Sequence, residues 1–119
     1  MTPVTRTDGS VLHPVCAVGE LPPGEVVRLD LPVPVAVFNV DGELYAIDDT
    51  CTHQDASLAD GWVEDCAVEC PLHASVFDLR TGAVSGPPAR TGVRSHPVTV
   101  ADGRIWVGIR AGVPGGDRP

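Results

Sequence analysis

Four residues of this 119-residue chain could bind a metal as a set: Cys51 and His53 in a C-x-H half, then, after sixteen intervening residues, Cys70 and His73 in a C-x-x-H half. Each half supplies one thiolate and one imidazole. An iron–sulfur cluster in which two Cys hold one iron and two His replace Cys on the other needs this donor set. In each half the soft and the borderline ligand stand one or two residues apart, so one tight loop reaches both irons and two loops clamp the cluster from either side. A structural zinc site is the alternative, since zinc accepts Cys2His2 in tetrahedral geometry. Zinc modules usually pair Cys with Cys and His with His at short spacing, whereas each half here mixes the two.

Stepping outward, the elements that must carry these loops read as short strands. Gly and Pro supply 13 and 12 residues, aromatics are scarce and Val is frequent, which favours turns and strands over long helices. Strand candidates are 11–18, 26–31, 35–40, 43–48, 67–69, 76–79, 93–100 and 104–109. Asp41-Gly42 and Asp102-Gly103 each fit a two-residue hairpin turn, where positive φ is tolerated. Thr81-Gly82 marks another turn. Pro97 predicts an edge or a bulge in its strand, and Pro32 and Pro34 a loop or edge around Val33. Both ligand halves then fall on loops that follow strand ends, where a rigid sheet can present groups to a partner. Met1–Gly9 and Ala111–Pro119 carry no apolar pattern and read as flexible ends of one domain spanning about 10–110, with cluster-binding loops over about 49–80.

With these motifs in view, the chain resembles the soluble Rieske-type ferredoxins of bacterial ring-hydroxylating oxygenase systems. The resemblance covers roughly residues 10–110. Cys51-Thr52-His53 opens the first loop, Leu58-Ala59-Asp60-Gly61 closes it, Pro71 follows Cys70, and Phe77-Asp78-Leu79-Arg80-Thr81-Gly82 follows the second box. It implies an all-β Rieske fold of antiparallel sheets with an inserted cluster-binding lobe. It also implies one 2Fe-2S cluster per chain, with Cys51 and Cys70 on the inner iron and His53 and His73 on the outer, solvent-facing one. Ser75 matches the family position whose hydroxyl donates to a bridging sulfide. Phe77 stands where high-potential members carry a tyrosine that donates to a ligand sulfur. Those members also carry a disulfide, at positions held here by Ala56 and Leu72. One donor kept, one lost, no staple and a carboxylate-rich surround imply a reduction potential in the lower half of the window open to such centres.

The resemblance implies an electron carrier and not an enzyme. It would take electrons from a flavin-containing ferredoxin reductase and pass them to a terminal oxygenase, both docking near His53 and His73, as a monomer in the cytoplasm. A small Rieske-fold subunit of a nitrite-reductase-like complex is the nearest alternative. Many such subunits have lost the ligands, and all four are kept here. A zinc-stapled interaction module is the third reading.

The remaining residues narrow the function further. Oxygenase large subunits add a mononuclear iron held by two His and a carboxylate, yet only His13 and His96 remain, and both read as strand-surface residues. No Gly-rich dinucleotide fingerprint occurs. Cys16 reads as a small buried hydrophobe and Cys66 as a free thiol, in keeping with a reducing compartment. No run of eighteen apolar residues and no apolar N-terminal stretch is present, so neither a membrane anchor nor a secretory signal is expected. A net charge of −8 without a basic patch disfavours nucleic acid. From Asp41 to Glu69 there are nine carboxylates, while arginine is absent from Leu29 through Leu79. That stretch should steer a basic partner toward the cluster loops. Trp62 and Trp106 read as packing residues.

Overall fold

The computed structural model describes residues 2–51, 56–72, 75–86, 89 and 91–110. Among the described residues, twelve strands fall into three antiparallel sheets of four. In the first sheet, β1 (Val4–Thr5) pairs with β2 (Ser10–Ala17), β2 with β12 (Arg104–Arg110), and β12 with β11 (Val98–Ala101). The second sheet orders β10 (Ser95–His96), β5 (Glu43–Asp48), β4 (Val35–Val40) and β3 (Val26–Leu29). The third orders β6 (Trp62–Glu64), β7 (Ala67–Glu69), β8 (Val76–Asp78) and β9 (Val84–Ser85). All four strands of the third sheet lie in sequence between β5 and β10, which are neighbours in the second sheet. The third sheet is thus a lobe inserted into a two-sheet base, as the resemblance implies.

One strand explains how lobe and base share a foundation. Successive side chains of a strand point to opposite faces. In β4, Val35 and Val37 join Leu21, Ala46, Ile105 and Val107 in the core between the base sheets. Ala36 and Phe38 point the other way, into a second core with Ile47, Leu58, Val68, Phe77 and Leu79. Burial on both faces is why this segment reads as an unbroken apolar run and not an alternation. Cys51 and Cys70 belong to that second core.

Several boundaries differ from the sequence expectation. The run 93–100 is split at Pro97: β10 pairs with β5, whereas β11 pairs with β12, so the proline marks a change of sheet. Val4–Thr5 pairs with Val11 and Leu12, giving the presumed loose N-terminal segment a strand. The strands β6 and β9 were not foreseen. The β6–β7 hairpin turns at Asp65 (φ 54°) and Cys66 (φ 58°), two left-handed residues without the glycine that signals such a turn. Asp41-Gly42 and Asp102-Gly103 form the expected turns, all four residues with positive φ. The expected loose segment Ala111–Pro119 lies outside the described residues.

Candidate metal centre

The two segments that the sequence marks as candidate ligand loops are closed by the same device. The Cys51 N–H donates to the Ala56 carbonyl at 2.9 Å, and the Cys70 N–H donates to the Ser75 carbonyl at 2.9 Å, five residues on in each case. Cys51 lies just beyond the end of β5 and Cys70 directly follows β7. Both are buried, 3% and 0% exposed. His53 and His73 lie outside the described residues, and no cluster of three or more ligand-type residues occurs among the described ones. The structure therefore brings the two sulfur donors into one core.

The first loop grows from two buried carboxylates. Asp49, 1% exposed, accepts from the Ser57 hydroxyl and the Ala59 N–H through Oδ1, each at 2.9 Å. Its Oδ2 lies 3.4 Å from Arg28 Nε on β3. The Leu58 N–H donates to the Asp49 carbonyl at 2.7 Å. One residue thus ties the returning limb of the loop to its start and to the base. Asp48 makes the companion clamp: Arg94 Nε lies 3.1 Å from Oδ2 and His96 Nε2 lies 2.8 Å from Oδ1. Burial alone would raise the Asp48 carboxyl, but hydrogen bonds from His96 and Arg94 outweigh it and hold the group below its ordinary value. His96, expected on a strand surface, has a side chain only 5% exposed because this carboxylate covers it.

The second loop rests on packing and one buried hydroxyl. Ser75 is fully buried, and its Oγ accepts from the Ala89 N–H at 2.9 Å. That bond uses a lone pair and leaves the hydroxyl proton to donate elsewhere. Phe77 and Leu79 are fully buried beneath the loop. Gly61, which ends the first box, lies so close to the Glu69 carbonyl oxygen that a Cβ would collide with it. The Leu-Ala-Asp-Gly motif therefore ends in the residue that lets β6 start against β7.

Other sequence readings divide. Cys16 is half-buried, not buried, and burial pushes its thiol up. Cys66 is a free thiol, and its side chain beside the Tyr45 hydroxyl, together with burial, pushes that hydroxyl up. Trp106 is half-buried, whereas Trp62 is 64% exposed and is no packing residue. Of the nine carboxylates between Asp41 and Glu69, Asp48 and Asp49 are buried and partnered, so they add no free surface charge. Asp41, Glu43, Asp60, Glu64, Asp65 and Glu69 are exposed, and Asp55 lies outside the described residues. No described helix is long and apolar enough to cross a membrane.

Two buried cysteines, each at the start of a loop closed by the same backbone bond, with a buried hydroxyl beside the second, suit the soft donor requirement of an iron–sulfur cluster. Comparison with known proteins agrees. Residues 11–97 match the Rieske [2Fe-2S] domain, and the chain belongs to that family. It is of the ferredoxin kind found in bacterial dioxygenase systems, an electron-carrying component that holds a 2Fe-2S cluster. It is 44% identical over 100 residues to the 3-phenylpropionate/cinnamic acid dioxygenase ferredoxin subunit of Escherichia coli K12, covering 83% of this chain and 94% of that protein. It matches a chain in the solved complex of reduced oxygenase and oxidized ferredoxin in carbazole 1,9a-dioxygenase with a TM-score of 0.76 at 34% identity, covering 81% of this chain and 91% of the other. A chain proposed as an NADH-dependent nitrite reductase small subunit from Mycobacterium tuberculosis gives a TM-score of 0.76 at 30% identity, covering 87% and 98%.

Proposed function

We propose that this ferredoxin receives electrons singly from a flavin-containing reductase and delivers them to a terminal oxygenase. The observation that carries the reading is the pair of matching loops that places Cys51 and Cys70 in one core. The proposed ligands are Cys51 and Cys70 on the buried iron and His53 and His73 on the outer one. A cluster so bound exchanges one electron, within a window of roughly −150 to +300 mV. The chain's own residues set the rest. The core around Cys51 and Cys70 excludes water from the sulfur side, Ser75 offers its hydroxyl proton beside Cys70, and the exposed Leu72 gives the second loop an apolar tip. The sequence carries no Gly-rich dinucleotide fingerprint, and the proposal assigns reductant and substrate chemistry to the partners. The proposed setting is the cytoplasm, and the proposed state is a monomer that meets its partners in turn near His53 and His73.

Stopped-flow mixing tests this directly. The reduced protein should be reoxidised by a dioxygenase terminal oxygenase in a second-order reaction and re-reduced by NADH with a flavoprotein ferredoxin reductase. Failure of both transfers would contradict the carrier role. The likeness to the nitrite reductase small subunit supports a second reading, a fixed subunit of a larger enzyme. In that case a tagged chain isolated from its own cells would carry a large subunit at one-to-one stoichiometry through gel filtration. The carrier reading predicts the isolated chain alone.

A further inference from the structure

Between the base and the lobe runs an open groove of about 390 Å³, floored by Phe38 and walled by Glu25, Asp41, Trp62, Glu64 and Asp65. Its walls come from distant parts of the chain: the β4–β5 turn on one side, β6 and its turn on the other. Trp62 exposes 64% of its surface there, beside Val63 at 43%. A large indole left this open on a β strand at a sheet edge invites contact with another protein. All four carboxylates are exposed, none forms an ion pair among the described residues, and no basic residue lines the groove. The groove also stands next to the centre, because Trp62 pairs across the ladder with Glu69, the residue immediately before Cys70.

We infer that this groove seats a lysine or arginine side chain from a surface loop of a redox-protein partner, its cation against the indole face and its charge met by Glu25, Asp41, Glu64 and Asp65. An indole face attracts a cation through its quadrupole, and flanking carboxylates add attraction and steer the encounter. The occupant rests on the carrier reading above but adds a site on the flank of the lobe, separate from the edge proposed for His53 and His73. The six exposed carboxylates of the Asp41–Glu69 stretch then serve two purposes: Asp41, Glu64 and Asp65 define the seat, and Glu43, Asp60 and Glu69 supply field.

The test uses dithionite-reduced holoprotein, freed of excess reductant, against two oxidants followed by stopped flow. Cytochrome c, a lysine-rich haem protein, serves as the basic protein acceptor, and ferricyanide as a small anion that needs no docking surface. Trp62→Ala should lower the second-order rate with cytochrome c about threefold and leave the ferricyanide rate unchanged. Glu64→Gln combined with Asp65→Asn should lower the cytochrome c rate about fivefold at low ionic strength, with the loss vanishing in high salt and no slowing toward ferricyanide. Wild-type protein that reduces ferricyanide, with variants that match it toward cytochrome c, would overturn the groove and leave the carrier reading standing. Equal slowing toward both oxidants would overturn it too, by placing the effect at the cluster. Wild-type holoprotein that reduces neither acceptor would overturn the carrier reading and the groove with it.

Discussion

Of the two proposed ligand loops, the one that leaves at Cys51 and returns at Ala56 is anchored at those ends by charge, and the one that leaves at Cys70 and returns at Ser75 by packing. Both close with the same backbone bond from the Cys N–H to the fifth residue beyond. Around the first, Asp48 and Asp49 engage Arg94, His96, Arg28, Ser57 and Ala59. Around the second lie Val68, Phe77 and Leu79, with the bond from the Ala89 N–H to Ser75 Oγ as a polar tie. The difference follows from where each loop leaves the fold. The first departs from β5 of the base and must be fastened across the junction between lobe and base, where polar groups meet. The second turns between two strands of the lobe sheet, over its own apolar face. Two loops proposed to hold matching ligands are thus anchored at their described ends by different physics, and perturbations should separate them.

The largest separation should come from Phe77→Ala. Emptying the space under the second loop costs about 3–5 kcal/mol and should loosen Cys70 before Cys51. Chemical denaturation of the holoprotein, read by loss of visible absorbance and by far-ultraviolet circular dichroism, would measure it. Asp49→Ala should cost less, about 2 kcal/mol, because it strands the Ala59 N–H and Ser57 hydroxyl in a partly buried place. Asp49→Asn should recover part of that loss, since one amide oxygen can still accept. If Asp49→Ala matched Phe77→Ala, the contrast between the loops would be lost.

Acid sharpens the same contrast. The Asp48 carboxyl faces Arg94 and His96, and its folded-state value lies below the ordinary one. The stability it contributes is therefore complete above about pH 4 and is lost as the pH falls through that lower folded value. Asp48→Asn should flatten the acid limb of a stability-against-pH curve, whereas Phe77→Ala should shift the curve down without changing its shape. The smallest effects concern potential. Ser75→Ala should lower the midpoint and Phe77→Tyr should raise it, each by about 40 mV if one hydrogen bond of about 1 kcal/mol is lost or gained. Protein-film voltammetry would read both shifts.

What was legible in the sequence follows the reach of each signal. The Cys/His spacing, the Asp-Gly turns and the apolar run Val35–Phe38 are local, and each marked its element. Pro97 announced a break, but β10 before it pairs with the distant β5 while β11 after it pairs with the adjacent β12, so the change of sheet was not readable. The turn at Asp65 and Cys66 lacks glycine and hid β6. His96 and Trp62 were misplaced for one reason: burial depends on what covers a side chain. Asp48, 48 residues away, covers His96, and no described element covers Trp62. Asp48 and Asp49 were counted as surface charge because nothing local distinguishes a clamping carboxylate from a solvated one.

The most direct test of the account is low-temperature electron paramagnetic resonance with absorption spectroscopy on anaerobically purified protein, before and after dithionite, for wild type and for His53→Cys with His73→Cys. The account predicts a red-brown oxidised form and, after reduction, the rhombic signal of a mixed Cys/His-ligated 2Fe-2S cluster. It predicts that the double variant, if it retains a cluster, loses that signal for one of the all-Cys type with a lower midpoint. A colourless wild-type protein that binds zinc and cannot be reconstituted with iron and sulfide would contradict it, as would a double variant with an unchanged spectrum.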